Sequence, residues 1–243
     1  MAQQICIIQN LKIMNELKEA LTPVDNGNTK IRIGHNRDGG YVVSKECVDE
    51  SQIVFSLGIG DGSPGQECEC DKQLADEGKQ IFMYESAYDE PPIKHENFHF
   101  NKLFVTSDNF KTEIQTKHPD TDNMLLMMDI EGGEYELLSN IDDEILTKFS
   151  QICFEIHWMH RRTNDVISII NKLKANFDLI HIHGNNYAYI LNGMPDVIEL
   201  TFVRKDKATS EIKPLNIGFP LPGLDFPNNP NEADYQIDWW INK

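Results

Sequence analysis

The sequence is poor in basic residues. Of its 243 residues, 22 are Lys or Arg and 39 are Asp or Glu, which gives a formal net charge of −17 at pH 7. A protein that binds duplex nucleic acid or an anionic lipid surface needs a basic face to neutralise phosphates. The charge balance therefore argues against nucleic-acid and membrane partners, although it says little about the fold.

Long apolar runs and an export signal are also lacking. No stretch approaches the roughly 20 consecutive apolar residues that cross a bilayer, and residues 1–12 lack the basic segment and apolar core of a signal peptide. The five cysteines are odd in number and show no zinc-type spacing. This pattern is typical of reduced structural thiols rather than of a disulfide framework. We therefore expect a cytoplasmic protein.

The chain length fits one α/β domain with additions at both ends. We predict a helix and a hairpin over residues 1–50, a Rossmann-like core over 51–205 and an extended, proline-rich tail over 206–243. The tail either wraps the domain, covers a site or packs on a second subunit, and packing is the default. A homo-oligomer is therefore left open.

Short apolar segments alternate with helix-compatible segments through the predicted core. This alternation predicts a doubly wound, mostly parallel sheet. The most apolar run, Met124–Met128, is typical of a central strand that is covered on both faces. In such sheets ligands bind beyond the carboxyl ends of the strands.

A glycine corner follows the first apolar run of the core. The run Val54–Leu57 ends in alternate glycines, and the corner comprises Gly58, Gly60, Asp61 and Gly62. Glycine lets the backbone approach a ligand closely, and the exposed N–H groups favour anionic or polar groups. Glu85 ends the next predicted strand, where a carboxylate can accept hydrogen bonds from both hydroxyls of a ribose. The alternatives are an ordinary structural corner and a solvated acid.

Two further segments are candidates for ligand contact. A predicted hairpin over residues 30–43 carries a turn at Asp38–Tyr41, which either covers the ligand or only supplies positive φ angles at its glycines. After the third predicted strand, Ser107 and Asp108 either meet an adenine edge or cap the next helix.

Ionisable residues end three later strands in pairs with i, i+2 spacing, which are Asp129 with Glu131, Glu155 with His157, and His181 with His183. In one mechanism His157 or His183 removes a proton from an acceptor hydroxyl. In the other, Asp129, Glu155 and an imidazole hold Mg²⁺ or Mn²⁺, which lowers the pKa of the acceptor. The structural alternative is that Glu131 and Glu134 are first-turn helix acids and that the histidines only satisfy neighbours.

Three segments together resemble the class I S-adenosylmethionine-dependent methyltransferases, and they are Ser56–Gly62, Glu85 and Met128–Leu138. The sequence Asp-Ile-Glu-Gly-Gly-Glu-Tyr-Glu-Leu-Leu within the third resembles the FkbM-like branch, which includes sugar and natural-product O-methyltransferases. The segment Arg37–Tyr41 is similar to an Asp-Gly-Gly-Tyr motif seen in some members. The resemblance covers about residues 30–205.

The resemblance implies a seven-stranded sheet whose last strand is antiparallel, with the methionine part of the donor over the glycine corner and the ribose on Glu85. The candidate residues for binding the donor S-adenosylmethionine are Gly58, Gly60, Asp61, Gly62, Glu85, Ser107, Asp108, Asp129, Asp38 and Tyr41. The candidate catalytic residues are Asp129, Glu131, His157 and His183, and the candidate metal ligands are Asp129, Glu155 and His183. One departure is Ser56, where the family has an acid two residues before the first glycine. The donor's amino group is then expected on Asp61 or on backbone carbonyls.

We therefore predict methyl transfer from S-adenosylmethionine to a hydroxyl of a sugar or other small polar metabolite. An NAD(P)-dependent oxidoreductase is a second hypothesis, but the corner has the spacing Gly-x-Gly-x-Gly rather than Gly-x-Gly-x-x-Gly. A non-catalytic interaction domain is a third, and the ionisable strand ends argue against it.

Overall fold

The computed structural model of the chain describes residues 2–60 and 68–241, and of residues 2–10 only the backbone. The helices are α1 (Ala2–Ala20), α2 (Lys45–Glu50), α3 (Glu69–Asp76), α4 (Ser107–Lys117), α5 (Glu134–Asn140), α6 (Asp143–Leu146) and α7 (Thr163–Asn176), with a 3₁₀ turn at Lys205–Lys207. The strands are β1 (Val24–Asp25), β2 (Lys30–Ile33), β3 (Tyr41–Ser44), β4 (Ile53–Leu57), β5 (Gln80–Glu85), β6 (Phe98–Lys102), β7 (Met124–Met128), β8 (Phe149–Ile156), β9 (Phe177–Gly184), β10 (Ile190–Leu191), β11 (Met194–Pro195), β12 (Ile198–Arg204) and β13 (Lys213–Pro214).

Seven of these strands form one sheet in the order β6-β5-β4-β7-β8-β12-β9. Strands β4 to β8 pair in parallel, whereas β12 is antiparallel to both of its neighbours, β8 and β9. The predicted doubly wound, mostly parallel sheet is therefore confirmed. Its last strand along the chain is antiparallel, which is the arrangement that the resemblance implies for class I methyltransferases.

The central strands separate two hydrophobic cores because successive side chains of a strand point to opposite faces. In β4, Phe55 and Leu57 join the core that contains α4, α5 and α7, whereas Val54 joins the core beneath the hairpin and α3. All five residues of β7 are buried, as predicted for a central strand. Ser56 shares the face of Val54 and therefore points toward α3.

The predicted hairpin is the antiparallel pair of β2 and β3. It rests on the sheet, since the hydroxyl of Thr201 donates to the carbonyl of Val42 at 2.6 Å and the amide of Ser44 donates to the side chain of Gln151 at 2.6 Å. These contacts hold the turn of the hairpin near the carboxyl ends of the parallel strands.

The C-terminal tail packs on the same chain. It contributes β13, which pairs with β1, and the buried side chains of Phe219, Asn228 and Trp240. The Asn228 amide donates to Asp38 at 2.9 Å and to Glu199 at 2.7 Å, so the tail ties the hairpin turn to the sheet.

Within the described residues, no helix combines the length and the apolar character that crossing a bilayer requires.

Candidate functional site

The glycine corner lies against the end of the central strand β7. Leu57 and Met128 are register partners, and the amide of Asp129 donates to the carbonyl of Leu57 at 2.8 Å. Gly58 turns there with φ +76°, and a Cβ atom on it would lie 1.7 Å from the carbonyl oxygen of Asp129. Only glycine fits this close approach, so the corner fixes the distance between the two loops.

Two cavities meet at this corner. The first, which we call the hairpin cavity, has a volume of about 290 Å³ and lies beneath the turn of the hairpin, between α3 and the ends of β4 and β7. The second, the outer cavity, has a volume of about 300 Å³ and lies beyond the ends of β5 and β6. Both cavities are lined by Gly58, Glu85, Asp129 and Glu131.

The predicted donor-binding residues divide into three groups. Those that line the hairpin cavity are Asp38, Tyr41, Gly58, Gly60, Glu85 and Asp129. Asp61 and Gly62 lie outside the described residues. Ser107 and Asp108 line neither cavity: they form the first turn of α4, whose N-cap is Thr106, and Ser107 hydrogen-bonds to Glu136 through its amide and hydroxyl groups.

Glu85 is held at the junction of the two cavities by backbone donors. Its Oε1 atom accepts from the amides of Ser86 and Ala87 at 2.6 Å each, and its Oε2 atom accepts more weakly from the amide of Ile59 at 3.4 Å. A carboxylate oxygen has room for further donors, so Oε2 can still accept from a ligand hydroxyl.

His157 does not line either cavity but lies close to four carboxylates. Its Nδ1 atom lies 3.2 Å from Glu134, and its Nε2 atom lies 3.7 Å from Asp129, 3.4 Å from Glu131 and 3.5 Å from Glu155. Since a carboxylate only accepts, Nδ1 carries a hydrogen and donates to Glu134. The structure therefore brings together Asp129, Glu131, Glu155 and His157, as predicted for residues at the ends of neighbouring strands.

Burial and the charges of neighbouring side chains shift the pKa values of Asp129, Glu155 and His157. Burial raises the pKa of Asp129, and burial with the nearby Asp129 charge raises the pKa of Glu155 well above its ordinary value. Burial opposes the charged form of His157, but the hydrogen bond that His157 donates to Glu134 and the charge of Asp129 outweigh it and raise the pKa of His157. Asp129, Glu155 and His157 lie so close together that the charge of each affects the protonation of the others.

Glu134 has a larger part in the site than a first-turn helix acid. It opens α5, as predicted, but it is fully buried, and its Oε1 atom also accepts from the amide of His157 at 2.7 Å. Its Oε2 atom accepts from the amide of Gly132 at 2.7 Å. Glu131 and Gly132 both have positive φ, which turns the chain so that Glu134 points inward.

The structure does not bring His183 into this group. Its Nδ1 atom lies 3.1 Å from Glu199 and its Nε2 atom 3.0 Å from Asp234 of the tail, and the residue lines neither cavity. Burial opposes its charge, but Glu199 and Asp234 raise the pKa of His183 to about 10. A protonated His183 with both ring nitrogens hydrogen-bonded is unsuited to accept a proton. His157, and not His183, lies among the carboxylates where we expected His183. His181 likewise contacts Asp225 of the tail at 2.8 Å.

Three residues of the group could hold a metal ion. Asp129, Glu155 and His157 each offer a ligand atom, and these atoms all lie within 4.8 Å of one another. The Oδ1 atom of Asp129 is buried and makes no hydrogen bond to the described residues. Two carboxylates and one imidazole suit Mg²⁺ or Mn²⁺, so the residues present fit such an ion, with His157 rather than His183 as the nitrogen ligand.

Sequence reasoning missed Asp71. This residue lies in the first turn of α3, is 5% exposed and lines the hairpin cavity together with Ser56. Burial raises the pKa of Asp71 to about 7, although the side chain of Ser56 lowers it in part. Ser56 was the one sequence signal, since it stands where the resemblance implies an acid.

No protein-family model and no curated protein matches the chain. Among solved structures, it is similar to a TehB-like SAM-dependent methyltransferase from Corynebacterium glutamicum, with 11% identity and a TM-score of 0.36 over 63% of this chain and 80% of that one. It is also similar to bluetongue virus VP4, described as a multifunctional RNA-capping production line, with 12% identity and a TM-score of 0.30 over 54% of this chain and 22% of that one. A third is WbdD, with 12% identity and a TM-score of 0.38 over 88% of this chain and 44% of that one. At these identities and TM-scores the likeness carries no information on activity.

Proposed function

We propose that the protein is an S-adenosylmethionine-dependent methyltransferase that methylates a hydroxyl of a sugar or other small polar metabolite. The observation that carries the proposal is the pair of cavities that meet at Gly58 and Asp129, with Glu85 at their junction. This shape suits an elongated ligand with a ribose in its middle. It lies beyond the carboxyl ends of the parallel strands, where such sheets bind ligands.

The residues that line each cavity suggest which part of the donor it holds. The outer cavity has apolar walls from Leu103, Val105 and Ile130, which suit an adenine ring. Glu85 at the junction accepts from the ribose hydroxyls. The methionine part then enters the hairpin cavity, over the close approach of Gly58 to Asp129.

The charge of the hairpin cavity favours a cationic donor. Its carboxyl-bearing lining residues are Asp38, Glu69, Asp71, Glu85, Asp129 and Glu131, and its described lining includes no Lys or Arg. A sulfonium cation is attracted to such a wall, whereas the pyrophosphate of NAD(P) is repelled. The same charge disfavours phosphorylated acceptors and favours neutral ones.

Asp129 is the proposed proton acceptor, because its carboxylate lines both cavities and its side chain is 36% exposed. As the acceptor oxygen attacks the methyl carbon, the carbon–sulfur bond breaks and its electron pair stays on sulfur. The hydroxyl proton passes to Asp129. His157, held in position by Glu134, lies behind Asp129 and sets the charge of the carboxylate.

A divalent metal is the second form of this mechanism. Asp129, Glu155 and His157 would hold Mg²⁺ or Mn²⁺, and such an ion, when bound, supplies a Lewis acid that lowers the pKa of a hydroxyl. If the ion is required, excess EDTA abolishes turnover and Mn²⁺ or Mg²⁺ restores it. Full activity in excess EDTA contradicts the metal and leaves Asp129 as the base.

A thermal-shift comparison tests the proposed function against its alternatives. We expect S-adenosylhomocysteine to raise the melting temperature, because a ligand that binds only the folded state stabilises it. NAD⁺ and NADP⁺ at the same concentration should have no effect. A shift with a nicotinamide cofactor alone would favour an oxidoreductase, and no shift with any of the three would favour a non-catalytic domain.

A further inference from the structure

The hairpin cavity is lined by a buried carboxyl group, that of Asp71, which the mechanism above does not use. Asp71 is 5% exposed and Ser56 is 4% exposed, and both line the cavity. Ser56 is the described side chain that lowers the pKa of Asp71 and so favours its ionised form. Asp71 therefore lines the same cavity as the glycine corner and Glu85.

A buried carboxylate is costly unless a cation compensates its charge. Within residues 2–60 and 68–241, no Lys, Arg or His side chain forms an ion pair with Asp71. By contrast, Asp76 at the other end of the same helix pairs with Lys72 and His95 on the surface. The carboxyl group of Asp71 therefore lacks a protein cation on the side that faces the cavity.

We propose that Asp71 binds the ammonium group of the donor's methionine part. This inference rests on the proposed function, since the ligand is the methyl donor. The chain thereby supplies from α3 the acid that β4 lacks at Ser56. A primary ammonium has three hydrogens to donate, and a desolvated carboxylate is a strong acceptor for it.

The proton balance fits this role. Burial raises the pKa of Asp71 to about 7, so the empty site is partly protonated at neutral pH. An ammonium in contact with the carboxylate favours the ionised form. Binding measured at pH 8 therefore begins from an ionised Asp71 and reports the ion pair most directly.

The test compares three ligands by titration calorimetry at pH 8. They are S-adenosylhomocysteine, its deaminated analogue with hydrogen in place of the amino group, and 5′-methylthioadenosine, which lacks the whole amino-acid end. The wild-type protein should bind the deaminated analogue at least about tenfold more weakly than S-adenosylhomocysteine, because a charge-assisted hydrogen bond is lost. This arm needs no variant and does not depend on the folding of one.

The variant arm uses Asp71→Asn with Asp76→Asn as its matched control. We expect Asp71→Asn to bind S-adenosylhomocysteine at least about tenfold more weakly, and to bind the deaminated analogue and 5′-methylthioadenosine as the wild type does. Asp76→Asn should bind all three normally. A merely structural role for Asp71 would instead weaken all three ligands together.

The outcomes separate the two proposals. If the wild type binds S-adenosylhomocysteine and its deaminated analogue equally, or if Asp71→Asn leaves the affinity for S-adenosylhomocysteine unchanged, the inference is wrong and the proposed function stands. Equal weakening of all three ligands by Asp71→Asn also overturns it. If the wild type binds none of the three, the proposed function fails, and the inference fails with it.

Discussion

Replacement of Gly58 by alanine should damage the protein more than replacement of another glycine with a similar backbone angle. Gly58 has φ +76° and Gly78, which follows α3, has φ +90°. A Cβ at Gly58 would lie 1.7 Å from the carbonyl oxygen of Asp129, whereas a Cβ at Gly78 meets no atom within 4 Å. The two substitutions therefore share the strain of a positive φ and differ in the steric clash.

The difference has an expected size. An alanine with positive φ costs about 1–2 kcal/mol, and this applies to both positions. A clash in a packed region adds about 1–3 kcal/mol, and only at Gly58. We expect Gly78→Ala to lose about 1–2 kcal/mol of unfolding free energy and Gly58→Ala about 2–5 kcal/mol. The clash also pushes Asp129 away from the cavities.

Urea denaturation gives the unfolding free energies, and calorimetry with S-adenosylhomocysteine gives the binding. Gly78→Ala should bind as the wild type does, and Gly58→Ala should bind at least about tenfold more weakly. Equal destabilisation by the two substitutions would refute the close approach of the two loops. Wild-type affinity in Gly58→Ala would refute the assignment of the corner to the donor.

Three further substitutions have expected results. For Asp71→Asn, the buried carboxyl keeps its proton to higher pH in the folded state than in the unfolded state, so this group lowers wild-type stability as pH rises from about 4 to about 7. At about 1.4 kcal/mol per pKa unit, a rise in the pKa of Asp71 from 3.8 to about 7 limits the gain in stability of the variant over the wild type to about 4 kcal/mol at pH 8. Urea denaturation at pH 5 and pH 8 should show this gain in stability growing with pH. A difference in stability that stays constant with pH contradicts the burial of the Asp71 carboxyl group. Asp129→Asn should lower turnover at least about a hundredfold in an unaltered fold, measured by circular dichroism and methyl transfer, and retention of a tenth of the activity rules out Asp129 as the proton acceptor. Asn228→Asp places a third carboxylate between two others and should cost about 3 kcal/mol or more in thermal unfolding, whereas the exposed control Asn231→Asp should stay within about 0.5 kcal/mol of the wild type.

The sequence was sufficient where the signal was local. The run Met124–Met128 is strand β7 without change of bounds, because a fully apolar segment of this length suits only a strand covered on both faces. The residues 99–105 predict the third strand from the sequence alone, whereas that strand is Phe98–Lys102 in the structure. It lies at the edge of the sheet, where partial exposure leaves a weaker pattern in the sequence.

The choice between the two histidines depended on the order of strands. In the sequence, His157 and His183 both stand at the end of a predicted strand, two residues after Glu155 and His181 respectively, and no local pattern separates them. The antiparallel strand β12 lies between β8 and β9 and carries Glu199, the register partner of both Glu155 and His183. This insertion moves His183 toward the tail, and strand order is a property of the whole sheet.

Asp71 and Glu134 were hidden for another reason. Both lie in the first turn of a helix, where acids are common and usually solvated. Whether such an acid points outward or into a cavity depends on how the helix is rotated against the sheet. For Glu134 that rotation follows from the positive φ angles of Glu131 and Gly132, and for Asp71 from the packing of α3 against β2 and β5.

Titration calorimetry with S-adenosylhomocysteine on the wild type and on Glu85→Ala tests the central claim most directly. The account predicts one binding site per chain, a loss of at least about tenfold in affinity for Glu85→Ala, and no binding of NAD⁺ or NADP⁺ by either protein. Failure of the wild type to bind S-adenosylhomocysteine, or equal binding by the wild type and Glu85→Ala, would contradict it.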